Sequence, residues 1–294
     1  MFLLDKPRGI SSNHALQAVK RLYRAEKAGH AGTLDPLASG LLPVLLGDAT
    51  KFSGYLLEAP KGYDAELCLG VTTSTADAEG EVLERRPVEV SREALSSVLG
   101  RFVGAQAQVP PMHSALKRDG TPLYVLARRG ESVERAPRTI RIFALELLAF
   151  DPPRATLRVQ CSKGTYVRTL AEDIGAALGC GAHLCALRRI ATGAFGIAQA
   201  TPLDALQAMT EPERDACLVP PDGILGQFAG VELDPGTESR FRHGQAVAVA
   251  GLGIGIFRAY GAERRFLGLG EVTKEGWLAP RRLLAEYNKD APTG

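Results

Sequence analysis

The sequence predicts an α+β fold, in which a mixed, mainly antiparallel sheet flanked by helices is followed by a compact β-rich module. Segments in which apolar and polar residues alternate, as in half-buried strands, are separated by segments whose apolar residues recur at helical spacing. Beyond Pro220-Pro221-Asp222-Gly223 the chain changes to short apolar runs broken by frequent glycines, which is typical of small β domains. We therefore expect two domains, residues 1–225 and residues 226–294.

The composition is that of an ordinary globular protein. The 294 residues are 45% hydrophobic, and 35 Lys and Arg against 33 Asp and Glu leave a net charge of only +2, so the total charge does not by itself indicate a nucleic-acid partner. Five cysteines without regular spacing argue against a disulfide framework. The N-terminus lacks the apolar core of a signal peptide, and no apolar run is long enough to span a bilayer. We expect a cytoplasmic protein that does not associate with membranes.

The N-terminal part of the chain is predicted to hold a helix, an irregular glycine-rich run and a strand. Ser11 or Ser12 can cap the helix. Its apolar face is formed by Leu16, Val19, Leu22 and Tyr23. The run Gly29–Gly40 contains three glycines, a proline and two ionisable residues, a composition that predicts irregular structure. Apolar and polar residues alternate from Tyr63 to Val71, which predicts a half-buried strand.

The middle of the chain contains a basic insertion. It follows a short predicted helix, Ser91–Leu99, which Gly100 ends. Residues 117–138 mix charge, Gly and Pro without a clear period, and we interpret them as an insertion with one short helix at about Leu123–Arg128. From Lys117 to Arg141, seven basic residues against three acidic ones give a local charge of +4, which exceeds the charge of the whole chain.

The rest of the larger domain is predicted to contain two paired strands and a helix. Ile140–Phe150 and Ala155–Cys161 have the composition and alternation of neighbouring strands. A helix is then expected from about Thr165 to Leu178, with Gly179 as its C-terminal cap.

Three polar runs beside these elements resemble the motifs of one known family. They are Gly29–Gly40, the strand start Lys61-Gly62-Tyr63, and Cys161–Arg168. Together with several further segments, and in the same order, they resemble the bacterial TruB-type tRNA pseudouridine-55 synthases. The further segments are Asp5–Gly9, Ser114–Lys117, Gly179–His183, Leu187–Arg189 and Ala279–Leu283. The resemblance covers almost the whole chain, and so many separate motifs in order make it specific.

The resemblance implies a reaction and its requirements. The family isomerises one uridine in the T loop of tRNA, at position 55, by breaking the bond from C1′ to N1 and joining C1′ to C5 of the same base. Because the RNA gains and loses no atoms or electrons in this isomerisation, no metal, nucleotide or redox cofactor is expected. Asp35 matches the catalytic carboxylate, and the residues alone leave open whether it attacks the sugar or removes a sugar proton.

The resemblance also implies roles for other side chains around Asp35. Arg168 is expected to hold the carboxylate through paired hydrogen bonds. Tyr63 is expected to stack on the target base, and Tyr166 and Leu187 to line the uracil pocket.

Further implied roles concern the rest of the RNA. The target base must leave its stack, and His30 is expected to fill the vacated space. Residues 117–138 match a thumb that closes on the RNA, and residues 226–294 match a PUA-like RNA-binding domain. The expected partner is tRNA, bound through its T arm, whereas neither a protein partner nor oligomerisation is implied, so we expect a monomer.

Other interpretations of the same residues stay open. An Asp before Pro in a loop is commonly a turn residue or a helix cap. A glycosidic hydrolase could use Asp35, but it would need a second, proton-donating carboxylate, and none is evident. An RNA-binding module that remodels the T arm without catalysis is a second alternative, and a guide-RNA-dependent relative is a third. Cys180, His183 and Cys185 do not match common zinc spacings and lack a fourth ligand, so we expect no metal.

Overall fold

The computed structural model describes residues 1–285, which form a ten-stranded sheet, a five-stranded sheet and two short two-stranded ribbons. Up to residue 225 the strands are β1 (Phe2–Lys6), β2 (Ala28–His30), β3 (Ala38–Leu46), β4 (Lys61–Leu69), β5 (Val71–Thr73), β6 (Val82–Arg85), β7 (Gly104–Gln108), β8 (Lys117–Arg118), β9 (Thr121–Pro122), β10 (Arg138–Asp151), β11 (Arg154–Cys161), β12 (Ala182–Thr192), β13 (Phe195–Gly196) and β14 (Thr201–Pro202). The helices there are α1 (Ser12–Leu22), α2 (Ser53–Glu58), α3 (Arg92–Gly100), α4 (Leu123–Arg128), α5 (Val167–Ala177), α6 (Leu203–Ala208) and α7 (Glu211–Ala216). The remaining elements are β15 (Ala229–Glu232), α8 (Pro235–Arg242), β16 (Val247–Ala248), β17 (Ile256–Tyr260), β18 (Phe266–Val272) and β19 (Trp277–Leu283).

The large sheet is mixed and mainly antiparallel. Its strand order is β14-β1-β3-β12-β4-β11-β10-β7, with β2 beside β3 and β13 beside β12. The pairs β1 with β14 and β3 with β12 are parallel. The other neighbouring pairs in this order, from β1 with β3 to β10 with β7, are antiparallel. Three helices cover one face through the buried side chains of Val19 from α1, Leu95 from α3 and Ile174 from α5. The predicted fold class is confirmed.

The C-terminal module is a five-stranded sheet in the order β15-β17-β18-β19-β16. Its own core contains the fully buried side chains of Phe241 and Leu278. On its other side Leu269 joins an apolar cluster with Phe52 of the large domain, and the rings of Phe52 and Phe266 lie 5.8 Å apart. The module therefore packs directly against the large domain, through an apolar cluster separate from the one that α1, α3 and α5 cover.

Several elements agree closely with the sequence-based predictions. α1 has Ser11 as its N-cap, whose Oγ accepts a hydrogen bond from the amide of His14 at 3.1 Å. α4 spans the predicted range, and β4 shows the predicted alternation of buried and half-buried side chains. α5 begins two residues later than predicted and is followed by Gly179, whose φ of +80° suits a glycine after a helix.

The prediction that Gly29–Gly40 is irregular throughout is wrong at both ends. Gly29 and His30 belong to β2, and the last three residues of the run begin β3, so the irregular part is residues 31–37. Gly40 lies inside a strand because β3 and β12 approach closely there. A Cβ on Gly40 would lie 2.3 Å from the carbonyl oxygen of Arg189, and its φ is +101°. No helix within residues 1–285 has the length and apolar content needed to cross a membrane.

Candidate active site

The six side chains singled out in the sequence lie around two adjoining cavities. Five of them line a cavity of about 270 Å³ at the middle of the large sheet: Asp35, Tyr63, Tyr166, Arg168 and Leu187. The sixth, His30, lines a neighbouring cavity of about 530 Å³, which Asp35 and Arg168 also line. Asp35 and Arg168 therefore lie where the two cavities meet.

The loop that carries Asp35 is fixed by a buried hydroxyl. Ser12 Oγ accepts a hydrogen bond from the amide of Leu34 at 2.7 Å and donates one to the carbonyl of the same residue at 2.9 Å. On the other side of Asp35, the amide of Gly9 donates to the carbonyl of Pro36 at 2.7 Å. The backbone on both sides of the carboxylate is therefore held, and this limits the directions in which the side chain can point.

Arg168 holds Asp35 from the first turn of α5. Its Nη2 atom lies 3.0 Å from Oδ2 of Asp35, and the Arg168 side chain is 7% exposed whereas that of Asp35 is 42% exposed. The same Nη2 atom donates to the carbonyl of His113 at 2.6 Å. The other terminal nitrogen, Nη1, lies 3.6 Å from a second carboxylate, that of Asp77. Two parallel hydrogen bonds from Arg168 to Asp35 were expected, whereas one terminal nitrogen of the guanidinium faces Asp35 and the other faces Asp77.

Asp77 is a site residue that the sequence reasoning missed. Its side chain is 4% exposed. Oδ1 of Asp77 accepts hydrogen bonds from the hydroxyl of Thr75 and from the amide of Glu79, the latter at 3.1 Å. The signal in the sequence is weak, because an Asp among Thr, Ser and Gly residues is ordinarily read as a turn residue. Its function becomes apparent only when β12 brings Leu184 beside this turn, through a hydrogen bond from the Ala78 amide to the Leu184 carbonyl at 2.9 Å.

The surroundings of Asp35 raise the pKa of its carboxyl group. Desolvation by the surrounding protein makes the largest contribution even though the side chain itself is 42% exposed to the cavities, and the negative charge of Asp77 acts in the same direction. The positive charges of Arg168 and Lys6 oppose this rise. The carboxylate at the junction of the two cavities is therefore harder to ionise than an ordinary Asp, and Arg168 limits that effect.

Tyr63 and Arg189 form a cross-strand pair below the cavity. They are opposite one another in β4 and β12. Arg189 is 1% exposed, and it donates from Nε to the carbonyl of Leu41 at 2.6 Å and from Nη2 to the carbonyl of Gly32 at 3.1 Å. Burial raises the pKa of the Tyr63 hydroxyl, which stays protonated at neutral pH. Arg189 therefore ties the start of the irregular loop to the strand that lies beside Tyr63.

Tyr166 is held by the amide side chain of Gln108. Oε1 of Gln108 accepts a hydrogen bond from the Tyr166 amide at 2.8 Å, and Nε2 donates to the Tyr166 carbonyl at 3.1 Å. Gln108 is 3% exposed, so both hydrogen bonds are shielded from water. Burial raises the pKa of the Tyr166 hydroxyl. The backbone of Tyr166 is thereby fixed, although β7 and the start of α5 are distant in sequence.

Two buried lysines support the site from below. Lys6 is fully buried and donates to the carbonyls of Pro7 and Ile10 at 2.8 and 2.7 Å. Lys61 lines the first cavity and donates to the carbonyls of Leu56, Leu57 and Ala59. Burial lowers the pKa of each lysine to about 8. Both ammonium groups close local turns, and Lys6 also adds positive charge near Asp35.

His30, the last residue of β2, faces the second cavity. Its Nδ1 atom is buried and has no hydrogen-bond partner among residues 1–285. Burial, followed by the charge of Arg189, lowers the pKa of the ring. The imidazole is therefore neutral at physiological pH, and it lines the cavity while its Nδ1 atom stays buried.

The basic insertion borders the same cavity. A ribbon of β8 and β9, which no periodicity predicted, precedes α4. Tyr124 and Arg128 of α4 line the second cavity, and the guanidinium carbon of Arg128 lies 5.6 Å from the centre of the Tyr124 ring. A cation and an aromatic ring are thus available on the side of the cavity that faces solvent.

Within residues 1–285 a single group of side chains has the proximity of metal ligands, and none of its members lines the two cavities. It consists of Cys68, His183 and Cys185. Cys180, which the sequence placed with the last two, does not take part.

Comparison with known proteins places this geometry in a family. Three family profiles match successive parts of the chain: TruB family pseudouridylate synthase (N terminal domain) over residues 20–167, tRNA pseudouridylate synthase B C-terminal domain over residues 168–225, and Pseudouridine synthase II TruB, C-terminal, over residues 229–284. The structure is similar to one chain in the crystal structure of a Cbf5-Nop10-Gar1 complex, with a TM-score of 0.73 and 26% sequence identity. The match covers 96% of this chain and 84% of the other chain.

Relatives of known name match over nearly the full length. The tRNA pseudouridine synthase B of Burkholderia mallei (strain NCTC 10247) is 55% identical over 291 residues, which cover 97% of this chain and 96% of the relative. The protein of the same name from Methylobacillus flagellatus is 52% identical over 287 residues, covering 97% and 95%. The fold and these matches define a pseudouridine synthase. Within that class, the chain belongs to the TruB family.

Proposed function

We propose that this protein isomerises a single uridine to pseudouridine in tRNA, at position 55 in the T loop, with the Asp35 carboxylate acting at the ribose. The observation that carries this proposal is the position of Asp35 at the junction of two cavities, with Arg168 Nη2 at 3.0 Å from its Oδ2 atom. The name shared by the relatives, tRNA pseudouridine synthase B, supports tRNA as the substrate.

The chemistry needs an ionised carboxylate at the sugar. The bond from C1′ to N1 breaks and a bond from C1′ to C5 forms, while N1 gains a proton and C5 loses one, so that the composition of the RNA is unchanged. Asp35 begins this sequence either by attack on C1′ or by removal of the C2′ proton, and both routes use the same anionic oxygen. Arg168 maintains the ionised form against the effect of burial.

The first cavity receives the uracil ring. Tyr63 offers the face of its ring and a protonated hydroxyl, and Leu187 supplies an apolar surface. Tyr166, fixed by Gln108, closes the pocket on the side of α5. This combination of apolar surface with a few fixed polar groups is typical of small-ligand pockets, and it orients the base so that either N1 or C5 faces C1′.

The second cavity receives the loop from which the base is flipped. Turning a base out of its stack costs a few kcal/mol. New contacts that take the place of the lost stacking can offset this cost. His30 provides such a contact, because its neutral ring borders the cavity next to Asp35. The nearby rings and cations of α4 then close over the loop from the solvent side.

The rest of the tRNA contacts two basic parts of the protein. Residues 117–138 serve as the thumb that binds the T arm, and their exposed guanidinium groups favour phosphate contacts. We place the catalytic domain at residues 1–225 and a PUA-like RNA-binding domain at residues 226–294. This boundary is supported by the two sheets, because the ten-stranded sheet lies before it and the five-stranded sheet lies after it. The protein acts as a monomer in the cytoplasm, where its substrate is found.

The proposed site is tested with unmodified tRNA transcript and purified protein without added cofactor. Carbodiimide labelling followed by primer extension maps pseudouridine to single nucleotides. The expected result is one new stop at position 55 with the wild-type protein and none with Asp35→Asn. A stop at another position would refute the T-loop assignment. Tight tRNA binding without any stop would favour an RNA-remodelling protein.

A further inference from the structure

Three sulfur and nitrogen ligands come together on the sheet outside the catalytic cavities. The sulfur atoms of Cys68 and Cys185 and a ring nitrogen of His183 all lie within 4.8 Å of one another. Cys68 belongs to β4, and the other two belong to β12, its neighbour in the large sheet. More than one hundred positions separate Cys68 from the other two in the sequence, so the cluster is a product of the fold.

The strand register shows how the three side chains reach the same face. His183 lies directly opposite Cys68, and Leu184 lies opposite Leu67. The register then shifts so that Ala186 pairs with the next residue of β4, which leaves Cys185 as the extra residue of a β-bulge. A bulge turns its extra side chain toward the face of the following residue, and here this is the face of Cys68.

This face is the one turned away from the catalytic cavity. Side chains alternate along β4, so that Tyr63 and Leu67 point to one side and Cys68 to the other. Tyr63 and Cys68 are also five positions apart, which corresponds to about 17 Å along a strand. The thiols and the imidazole therefore form a site separate from Asp35.

The imidazole of His183 is oriented as in metal-binding histidines. Its Nδ1 atom lies 2.9 Å from the carbonyl oxygen of Val71 and donates a hydrogen bond to it. This fixes the tautomer, so that Nε2 carries a lone pair and points to Sγ of Cys185 at 3.5 Å. In a tetrahedral zinc site, bond lengths of about 2.3 Å to sulfur and 2.0–2.1 Å to nitrogen place these two atoms about 3.6 Å apart. The observed separation already matches that value.

We propose that Cys68, Cys185 and His183 bind one Zn²⁺ ion, which links β4 to β12 on the sheet face opposite the catalytic site. Binding replaces the two thiol protons, which pass to solvent, so that two thiolates balance the charge of the ion. The three ligands leave one tetrahedral position, which water fills because both cysteines are only half-buried. The sequence predicted no metal, because Cys180, His183 and Cys185 do not match common zinc spacings and lack a fourth ligand. That prediction did not consider Cys68 of β4, which takes the place of Cys180 in the cluster.

Metal binding is measured on the full-length protein, reduced and freed of metal, by titration with Zn²⁺ against a chromogenic chelator. Co²⁺ serves as a second probe, because thiolate ligands give it a sulfur-to-metal charge-transfer band. One Zn²⁺ per chain is expected for the wild type. Cys68→Ser and Cys185→Ser are each expected to weaken binding by at least about 10-fold and, because each keeps one thiolate, to reduce the charge-transfer band to about half of its intensity.

Cys217→Ser is the matched control, because Cys217 is also half-buried but follows α7, outside the cluster. It should bind Zn²⁺ as the wild type does. Zn²⁺ should raise the Tm of the wild type and of the control but not that of Cys68→Ser, whose metal-free Tm shows whether it is folded. Absence of stoichiometric Zn²⁺ binding by the reduced wild type would overturn the assignment, and so would binding by Cys68→Ser and Cys185→Ser that is as tight as binding by the wild type. Because these ligands face away from Asp35, either result leaves the assignment of the reaction unaffected.

Discussion

Asp35 and Asp77 face the same guanidinium group: Arg168 approaches the first with Nη2 at 3.0 Å and the second with Nη1 at 3.6 Å. The two carboxylates differ in exposure, since Asp35 opens to the cavities while Asp77 is buried. Asp77 therefore acts through Arg168, by orienting it and by adding negative charge near Asp35. The charges of Arg168 and Asp77 shift the pKa of Asp35 in opposite directions, and this makes their functions separable by experiment.

Asp77→Asn and Arg168→Gln should displace the acid limb of the pH–rate profile in opposite directions. Asp35 must be ionised to react, so the rate falls as pH is lowered through its pKa. Asp77 raises that pKa, so Asp77→Asn should move the limb to lower pH; Arg168 lowers it, so Arg168→Gln should move the limb to higher pH. Both variants should also lose roughly 10²-fold in kcat through misplacement of Asp35. The measurement is kcat/KM for tRNA against pH, and shifts of the same sign would contradict this relationship.

Asp35→Asn should stabilise the folded protein at neutral pH. The pKa of Asp35 is raised in the folded state, so its ionisation costs stability as pH rises through the raised pKa. Below the ordinary pKa of an Asp, about 3.9, both states are protonated and the cost disappears. The Tm of Asp35→Asn should therefore exceed that of the wild type at pH 7, by a margin that shrinks toward pH 4. A lower Tm for the variant at pH 7 would show that the ion pair with Arg168 outweighs burial.

Gln108→Leu should impair both stability and catalysis. It leaves the amide and the carbonyl of Tyr166 buried without their partner, at a cost of roughly 1–3 kcal/mol in the free energy of unfolding. Displacement of Tyr166 should lower kcat by about 10-fold to 100-fold. Gln106→Leu is the control, because Gln106 lies on the same strand but bonds to the carbonyl of Phe102, away from the cavity. Equal loss of kcat in both variants would indicate a general effect of β7 rather than the positioning of Tyr166.

The basic insertion should contribute to the salt dependence of tRNA binding. Each phosphate contact adds roughly 0.7–0.9 to the slope of log K against log salt concentration. Replacing both Arg128 and Arg129 by Ala should lower that slope by about one to two. Replacing Arg154 and Arg158, which pair with carboxylates of β4 on the sheet face turned away from Tyr63, should leave it unchanged. Filter binding over a range of salt concentrations measures both, and an unchanged slope in the first variant would exclude the insertion from phosphate contact.

Local patterns were sufficient to predict elements whose cause is local. Ser11 caps α1, and the alternation from Tyr63 onward is the burial pattern of β4. The strand character of Gly40 could not be predicted, because it depends on the close approach of β12. In the site, Asp35 and Arg168 were found by resemblance to a family, whereas Asp77 was missed because a turn residue gains its function only from its neighbours in space.

The cysteine cluster shows the same limit. Two of its members, His183 and Cys185, are separated by one residue in the sequence, and together with Cys180 they did not match a zinc site. The third ligand, Cys68, is supplied by β4, and the pairing of β4 with β12 cannot be inferred from sequence spacing. A strand register places residues together that no motif joins.

Single-turnover kinetics with Asp35→Asn test the central claim most directly. With tRNA carrying tritium at C5 of uridine, formation of the new bond releases tritium to water. The expected result is a loss of at least about 10⁴-fold in rate, with the Kd for tRNA nearly unchanged, because the substitution removes the reacting oxygen and retains the shape. Asp151→Asn, at an exposed end of β10, should match the wild type. Tritium release by Asp35→Asn at a rate near that of the wild type would contradict the assignment of Asp35 as the catalytic carboxylate.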